Sequence, residues 1–113
     1  MLQSSQVTVI GWSSPSKSKQ SGLGSVSLAE MRRLGPQETA RQILAGIPAS
    51  AAIVLHLDID VFEKQEMPAA YFPHLGGLNL SGGKELLAVL LRDPRIRIIE
   101  VSEYTSLRDL DRQ

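Results

Sequence analysis

The sequence has 113 residues, with 12 Lys+Arg against 12 Asp+Glu, 42% hydrophobic and 4% aromatic residues, and no cysteine. That length suits one core and one domain rather than a complete metabolic enzyme with its own cofactor domain. Balanced charge leaves no basic face for a phosphate backbone, so nucleic acid is not an expected partner, and the lack of cysteine excludes disulfide scaffolds and thiolate metal sites. The longest apolar stretch, Ala49 to Leu57, is far short of the roughly 20 residues that span a bilayer. MLQSSQ at the start lacks the charge and apolar run of a signal peptide. No membrane association is expected, and a cytoplasmic location is the default.

In chain order, Gln6 to Trp12 (QVTVIGW) reads as a short strand that stops at its glycine. Ser13 to Gly24 is polar, without apolar periodicity, and reads as a loop. Ser27-Leu-Ala-Glu30 has the spacing of a capping box, which predicts a short helix ended by Gly35-Pro36. Pro36 then opens a second helix, whose apolar face is Ala40, Ile43, Leu44 and Ile47. Ala51 to Ile59 is almost continuously apolar, the pattern of a buried parallel strand, and it acquires Asp58 and Asp60 as it ends. Val61 to Leu80 carries Pro68, Pro73, Gly76 and Gly77 and predicts a long loop, of the kind that is usually functional or disordered. Ser81 is the expected cap of a helix running to about Arg92, and Ile96 to Val101 is a further strand, followed by Glu103 and a charged tail. The order of strand, helices, strand, helix and strand predicts an α/β fold with a parallel sheet, in which the strands near 52–58 and 96–101 are neighbours.

Residues two apart on a strand share a face, so Asp58 and Asp60 emerge together at the edge where open α/β sheets bind ligands. Paired carboxylates suit a hard divalent cation, because unneutralised they repel each other. The alternative is a pair of solvated strand-end charges or helix caps. His56 shares the strand face of Asp58 and is either a ligand or donor behind the metal or a packed core histidine. His74 sits in the long loop, where a surface position is the simpler reading. Glu103, just past a strand, either faces the same cleft or is a surface carboxylate. Trp12, Tyr71 and Phe72 read as core or loop anchors.

The segment LHLDIDVFEKQEMPAAYFPHLGGLNLSGGKELLAVL resembles the arginase, agmatinase and formimidoylglutamase family, the ureohydrolases. The resemblance rests on the D-x-D pair Asp58 and Asp60, on Pro68 and Pro73, on Gly76-Gly77-Leu78 and on the helix from Ser81. It extends through GLGSVSLAEMRRLG upstream and IIEVSEYTSLRDLDRQ downstream. It implies the second half of a three-layer α/β fold, with residues 1–113 as a single partial domain. It also implies manganese-dependent hydrolysis of guanidinium or amidine carbon–nitrogen bonds by an activated water. Asp58 and Asp60 would hold two manganese ions, and Glu103 would face the cationic head of a small guanidino or amidino substrate.

The family's remaining metal ligands, an earlier histidine and a D-x-H-x-D strand, have no counterpart in these 113 residues. Lys64 stands where the family has a proline, and Tyr71-Phe72 replaces a small Gly-Thr. The resemblance therefore implies a chain inactive by itself, which is completed by an N-terminal half or assembles as a homo-oligomer. Two other readings compete: a non-catalytic, self-associating module that keeps half the fold, and a phosphotransferase strand with Asp58 as nucleophile. Phe62 stands where the last of these prefers threonine.

Overall fold

The computed structural model describes residues 2–12, 24–72 and 75–107. Most of the expected polar loop, together with Pro73, His74 and the end of the charged tail, lies outside the described residues. After a 3-10 turn at Ser4–Gln6 come β1 (Thr8–Trp12), β2 (Gly24–Ser27), α1 (Leu28–Leu34), α2 (Pro36–Ala45), β3 (Ile53–Asp58), a second 3-10 turn at Ile59–Val61, α3 (Leu80–Leu90) and β4 (Ile96–Ser102).

Both strand pairs are parallel, β1 with β2 and β3 with β4. The expected neighbours therefore pair as anticipated, but among the described residues the strands form two two-stranded sheets instead of one layer. β2 is absent from the sequence reading because Gly24-Ser25-Val26-Ser27 offers a single apolar residue. Its extended conformation comes from cross-strand pairing, Thr8 to Gly24 through Trp12 to Ser27. Gly11, at φ 80°, stands at the irregularity in that ladder. A Cβ there would lie 2.7 Å from Val61 Cγ2, so the glycine lets β1 close against the turn after β3.

The helices begin and end for local reasons. At α1 the capping box is complete: Glu30 N–H donates to Ser27 Oγ at 3.1 Å, and Ser27 N–H donates to Glu30 Oε2 at 2.9 Å. Gly35, at φ 86°, makes the corner into α2, and the buried Thr39 hydroxyl donates back to its carbonyl at 2.8 Å. α3 departs from expectation, since Asn79 and not Ser81 is the cap, its Oδ1 accepting from Gly82 N–H at 2.7 Å. Asparagine and serine are comparable caps, and only the neighbouring backbone decides between them.

The core is Leu28 and Met31 of α1, Ala40 of α2, Leu86 and Leu90 of α3, and Ile59, Phe62, Ala70 and Leu78 from the segment between β3 and α3. Leu55 and Leu57 of β3 pack against it. The long loop is therefore interior structure at several points. Phe62 and Leu78 form a parallel bridge, with Leu78 N–H donating to Val61 O and Glu63 N–H to Leu78 O, both at 2.8 Å. Expectation fails for β3 as a fully buried strand. Burial alternates along it, Val54 being 56% exposed, because among the described residues the helices cover one face only. On β4, Ile98, Ile99 and Val101 are each more than half exposed.

Between α3 and β4, Arg95 works as a clamp. It donates to Ile47 O at 2.6 Å and to Leu44 O at 2.9 Å, satisfying carbonyls at the end of α2. Two further N–H groups reach Asp93 at 2.9 and 2.8 Å. The side-chain and backbone hydrogen bonds from Arg95 hold the Asp93 carboxyl down at about 2, against an opposing desolvation.

Two expectations follow from these contacts. At Gly77 an added Cβ would sit 2.6 Å from the Phe62 carbonyl carbon, a backbone atom fixed by the bridge to Leu78. Gly77→Ala should cost about 1–3 kcal/mol in urea unfolding, and an unchanged midpoint would show that this approach is not tight. For Asp93 the folded value lies below the ordinary one, so its stabilisation is complete above about pH 4 and disappears as pH falls through about 2. The stability gap between the natural chain and Asp93→Asn should close across that interval, and a gap independent of pH would contradict the clamp.

Candidate metal centre

β3 carries Asp58 to the edge of its sheet and ends there, and Asp60 lies in the 3-10 turn at Ile59–Val61, so the two do not share a strand face as the alternation predicted: the turn breaks the period of two. Asp58 is the cap of that turn: its Oδ1 accepts the Asp60 N–H at 2.9 Å. Asp60 Oδ1 in turn accepts the Phe72 N–H at 2.9 Å, drawing the distal loop back over the strand end. Each carboxylate thus has one oxygen occupied by a backbone N–H that fixes its orientation. No salt bridge reaches either residue among the described residues. Asp58 is exposed and Asp60 half-buried.

The loops after β3 and β4 are stitched antiparallel. Ala70 bridges Tyr104, Tyr71 N–H donates to Glu103 O at 2.7 Å, and Thr105 N–H donates to Ala69 O at 2.9 Å. Glu103 is exposed, one residue past β4 and at φ 64°, a left-handed conformation unusual for a residue with a side chain. Through Tyr71 and Phe72 it is tied to the segment that Asp60 anchors.

His56 is not a core histidine. It lies exposed on the face of β3 that also bears Asp58, with Nδ1 2.9 Å from Glu100 Oε2 and Nε2 3.0 Å from Ser102 Oγ. An ionised carboxylate can only accept, so Nδ1 carries the proton toward Glu100, and in the neutral ring Nε2 accepts from the serine hydroxyl. Sequence reading missed Glu100 and Ser102 because only the cross-strand register, His56 to Glu100 and Asp58 to Ser102, brings them to this face. The spacing of Glu100 and Ser102 was the available signal, since residues two apart share a face.

Glu63 and Glu66 were also missed. Glu63 Oε2 accepts the Gly76 N–H at 2.6 Å, and Glu66 Oε2 accepts the Leu80 N–H. Arg32 donates to the Gly76 and Gly77 carbonyls at 2.8 and 3.1 Å. All three side chains line a cleft of about 430 Å³ that includes none of Asp58, Asp60, His56 or Glu103. Their hydrogen bonds to backbone make them loop-organising groups. The described residues contain no group of three His, Cys, Asp or Glu side chains that could enclose a metal ion. Asp58 and Asp60 supply oxygen donors of the kind a hard divalent cation takes, but only part of its coordination shell.

The family model described as the arginase family matches residues 1–113. Among solved structures, arginase from Bacillus subtilis superposes with a TM-score of 0.85 at 23% identity, over 96% of this chain and 39% of that chain. Proclavaminate amidino hydrolase from Streptomyces clavuligerus gives 0.82 at 23% identity, over 95% and 36% respectively. Formimidoylglutamase from Bacillus subtilis gives 0.83 at 19% identity, over 94% and 36%. No curated protein matches the sequence. The chain spans less than two-fifths of the length of these structural neighbours, so it corresponds to a part of their α/β fold. With the family model matched from the first residue to the last, the chain belongs to the arginase family.

Proposed function

We propose that this chain is the part of a manganese-dependent amidine or guanidine hydrolase that bears the D-x-D pair, and that it is inactive without further ligands. The observation that carries this reading is the delivery of Asp58 and Asp60 to one strand end, each oriented by a backbone N–H, with Glu103 just past the neighbouring parallel strand. In the family reading Asp58 and Asp60 hold the metal, and Glu103 faces the substrate's cationic head. Bound divalent cations supply a lowered water pKa and a polarised scissile group. The residues of this chain contribute orientation: the aspartates are held by N–H groups, and Glu103 is fixed through the loop stitching at its own carbonyl.

Completion by further polypeptide, either an N-terminal half of the fold or a second copy, is part of the proposal. Val54, Ile98, Ile99 and Val101 leave apolar sheet surface open, and an uncovered parallel pair is uncommon in a finished fold. A cytoplasmic setting accords with the composition, and no described helix is long and apolar enough to cross a membrane.

Manganese should bind the isolated chain weakly by calorimetry, and Asp58→Ala should remove what binding there is. Tight uptake of two ions per chain that survives Asp58→Ala would overturn the ligand assignment. With manganese present, the isolated chain should release neither urea nor ammonia from arginine, agmatine, guanidinobutyrate or formiminoglutamate. Turnover should appear only with a polypeptide supplying D-x-H-x-D ligands, and should then require Asp58 and Asp60. Turnover by the chain alone, lost in Asp58→Ala, would show that the residues here complete a site unaided.

A further inference from the structure

Tyr71 and Phe72 occupy the step between the two acidic anchors of the candidate site. Phe72 N–H is held by Asp60 Oδ1 at 2.9 Å, and Tyr71 N–H by the Glu103 carbonyl at 2.7 Å. Both bonds come from the backbone, so they require no particular side chain at either position. Two large aromatic residues stand there nevertheless. Their rings meet edge to face with centroids 4.7 Å apart and planes at 82°, and they remain 51% and 60% exposed. Tyr104, opposite Ala70 in the antiparallel bridge, is 54% exposed. In a sequence with 4% aromatic residues, three of the five lie in this short stitched segment. The backbone of the aromatic pair is thus tethered to the Asp60 carboxylate and to the main chain of Glu103, and charge together with contact against a ring face are the two attractions that a planar cation on an apolar body can use at once.

We propose that Tyr71 and Phe72 are specificity-determining residues that select a planar amidinium or guanidinium carried on an aryl or similarly flat apolar body over one on a short polar chain. This rests on the assignment of Asp60 and Glu103 to the substrate site. The aromatic pair forms the apolar wall of the site, and the acids supply its charge.

The test uses three small probes on the full chain, followed by the backbone amide resonances of residues 58–72 and 100–105. Benzamidine is a cation with a ring, acetamidine a cation without one, and benzamide a ring without charge. Benzamidine should bind about fivefold or more tightly than acetamidine, and more tightly than benzamide, with shifts at Tyr71, Phe72 and Glu103. The preference over acetamidine should fall toward one in Phe72→Leu and in the Tyr71→Ala, Phe72→Ala double variant. Phe72→Leu keeps apolar bulk and the backbone donor, so folding is preserved where the double variant fails. Equal affinity for benzamidine and acetamidine, a preference retained in Phe72→Leu and the double variant, or benzamide binding as tightly as benzamidine would each overturn the proposal. Manganese-induced broadening of the Asp58 and Asp60 amides, measured separately, reports on the metal reading. Broadening without an aromatic preference defeats the proposal alone, whereas an aromatic preference without broadening defeats the metal assignment and leaves the cation wall standing.

Discussion

The parallel pairing of β3 with β4, in the register that sets Asp58 opposite Ser102, is the constraint on which the site depends. Parallel strands leave a sheet at the same edge, so residues far apart in sequence arrive together. Asp58 ends one strand with Asp60 in the turn that follows it, and Glu103 follows the other strand. The same register puts Val54, His56 and Asp58 on one face with Ile98, Glu100 and Ser102. A slip of one residue would turn Glu100 and Ser102 away from the His56 ring and break both of its hydrogen bonds. Beyond the strand ends, the stitching of 69–71 to 103–105 continues the alignment into the loops, so Glu103 is placed by backbone geometry and not by its own side chain.

The loop between β3 and α3 shows how local chemistry holds that arrangement without a sheet. Gly76 supplies a positive φ of 77°, and Gly77 lets the chain touch the Phe62 backbone. Phe62 in turn packs where Gly83 lacks a side chain, since a Cβ on Gly83 would lie 2.2 Å from its Cε1. Glycines inside a helix cost helix stability, and here the approach of the Phe62 ring accounts for one of them. Carboxylates do the rest, with Glu63 and Glu66 taking loop N–H groups and Asp60 taking that of Phe72.

Elements set by neighbours in sequence were legible, and those set by neighbours in space were not. The capping box at Ser27 and Glu30, the Gly35-Pro36 corner and the parallel relation of the two later strands all follow from local pattern. Asp58 stands at the strand end that the pattern marked, but the 3-10 turn that takes Asp60 off the strand was hidden, because an Asp side chain capping the next turn looks the same in sequence as a strand continuing. β2 was hidden because its four residues take their conformation from β1. The exposure of His56 was hidden because an apolar run does not reveal which of its two faces is covered. The choice of Asn79 over Ser81 as cap depended on where the bridge from Phe62 to Leu78 releases the chain.

Charge satisfaction separates the described aspartates into two kinds. Asp93 receives side-chain donors of Arg95 on both of its oxygens and is 15% exposed, so its partners are complete and its role is to hold α2 to β4. Asp58 and Asp60 receive a backbone N–H on one oxygen each, and among the described residues no salt bridge reaches them. A backbone donor orients a carboxylate without neutralising it. On the proposed function, a shared cation is the counter-charge that such a pair of oxygen donors would take. On that proposal, two aspartates alone would leave the chain short of a working site. Orientation of two oxygen donors narrows a cation's position but leaves most of its coordination shell to water, and a water-filled shell cannot fix a nucleophile against a planar carbon to the tolerance that catalysis needs.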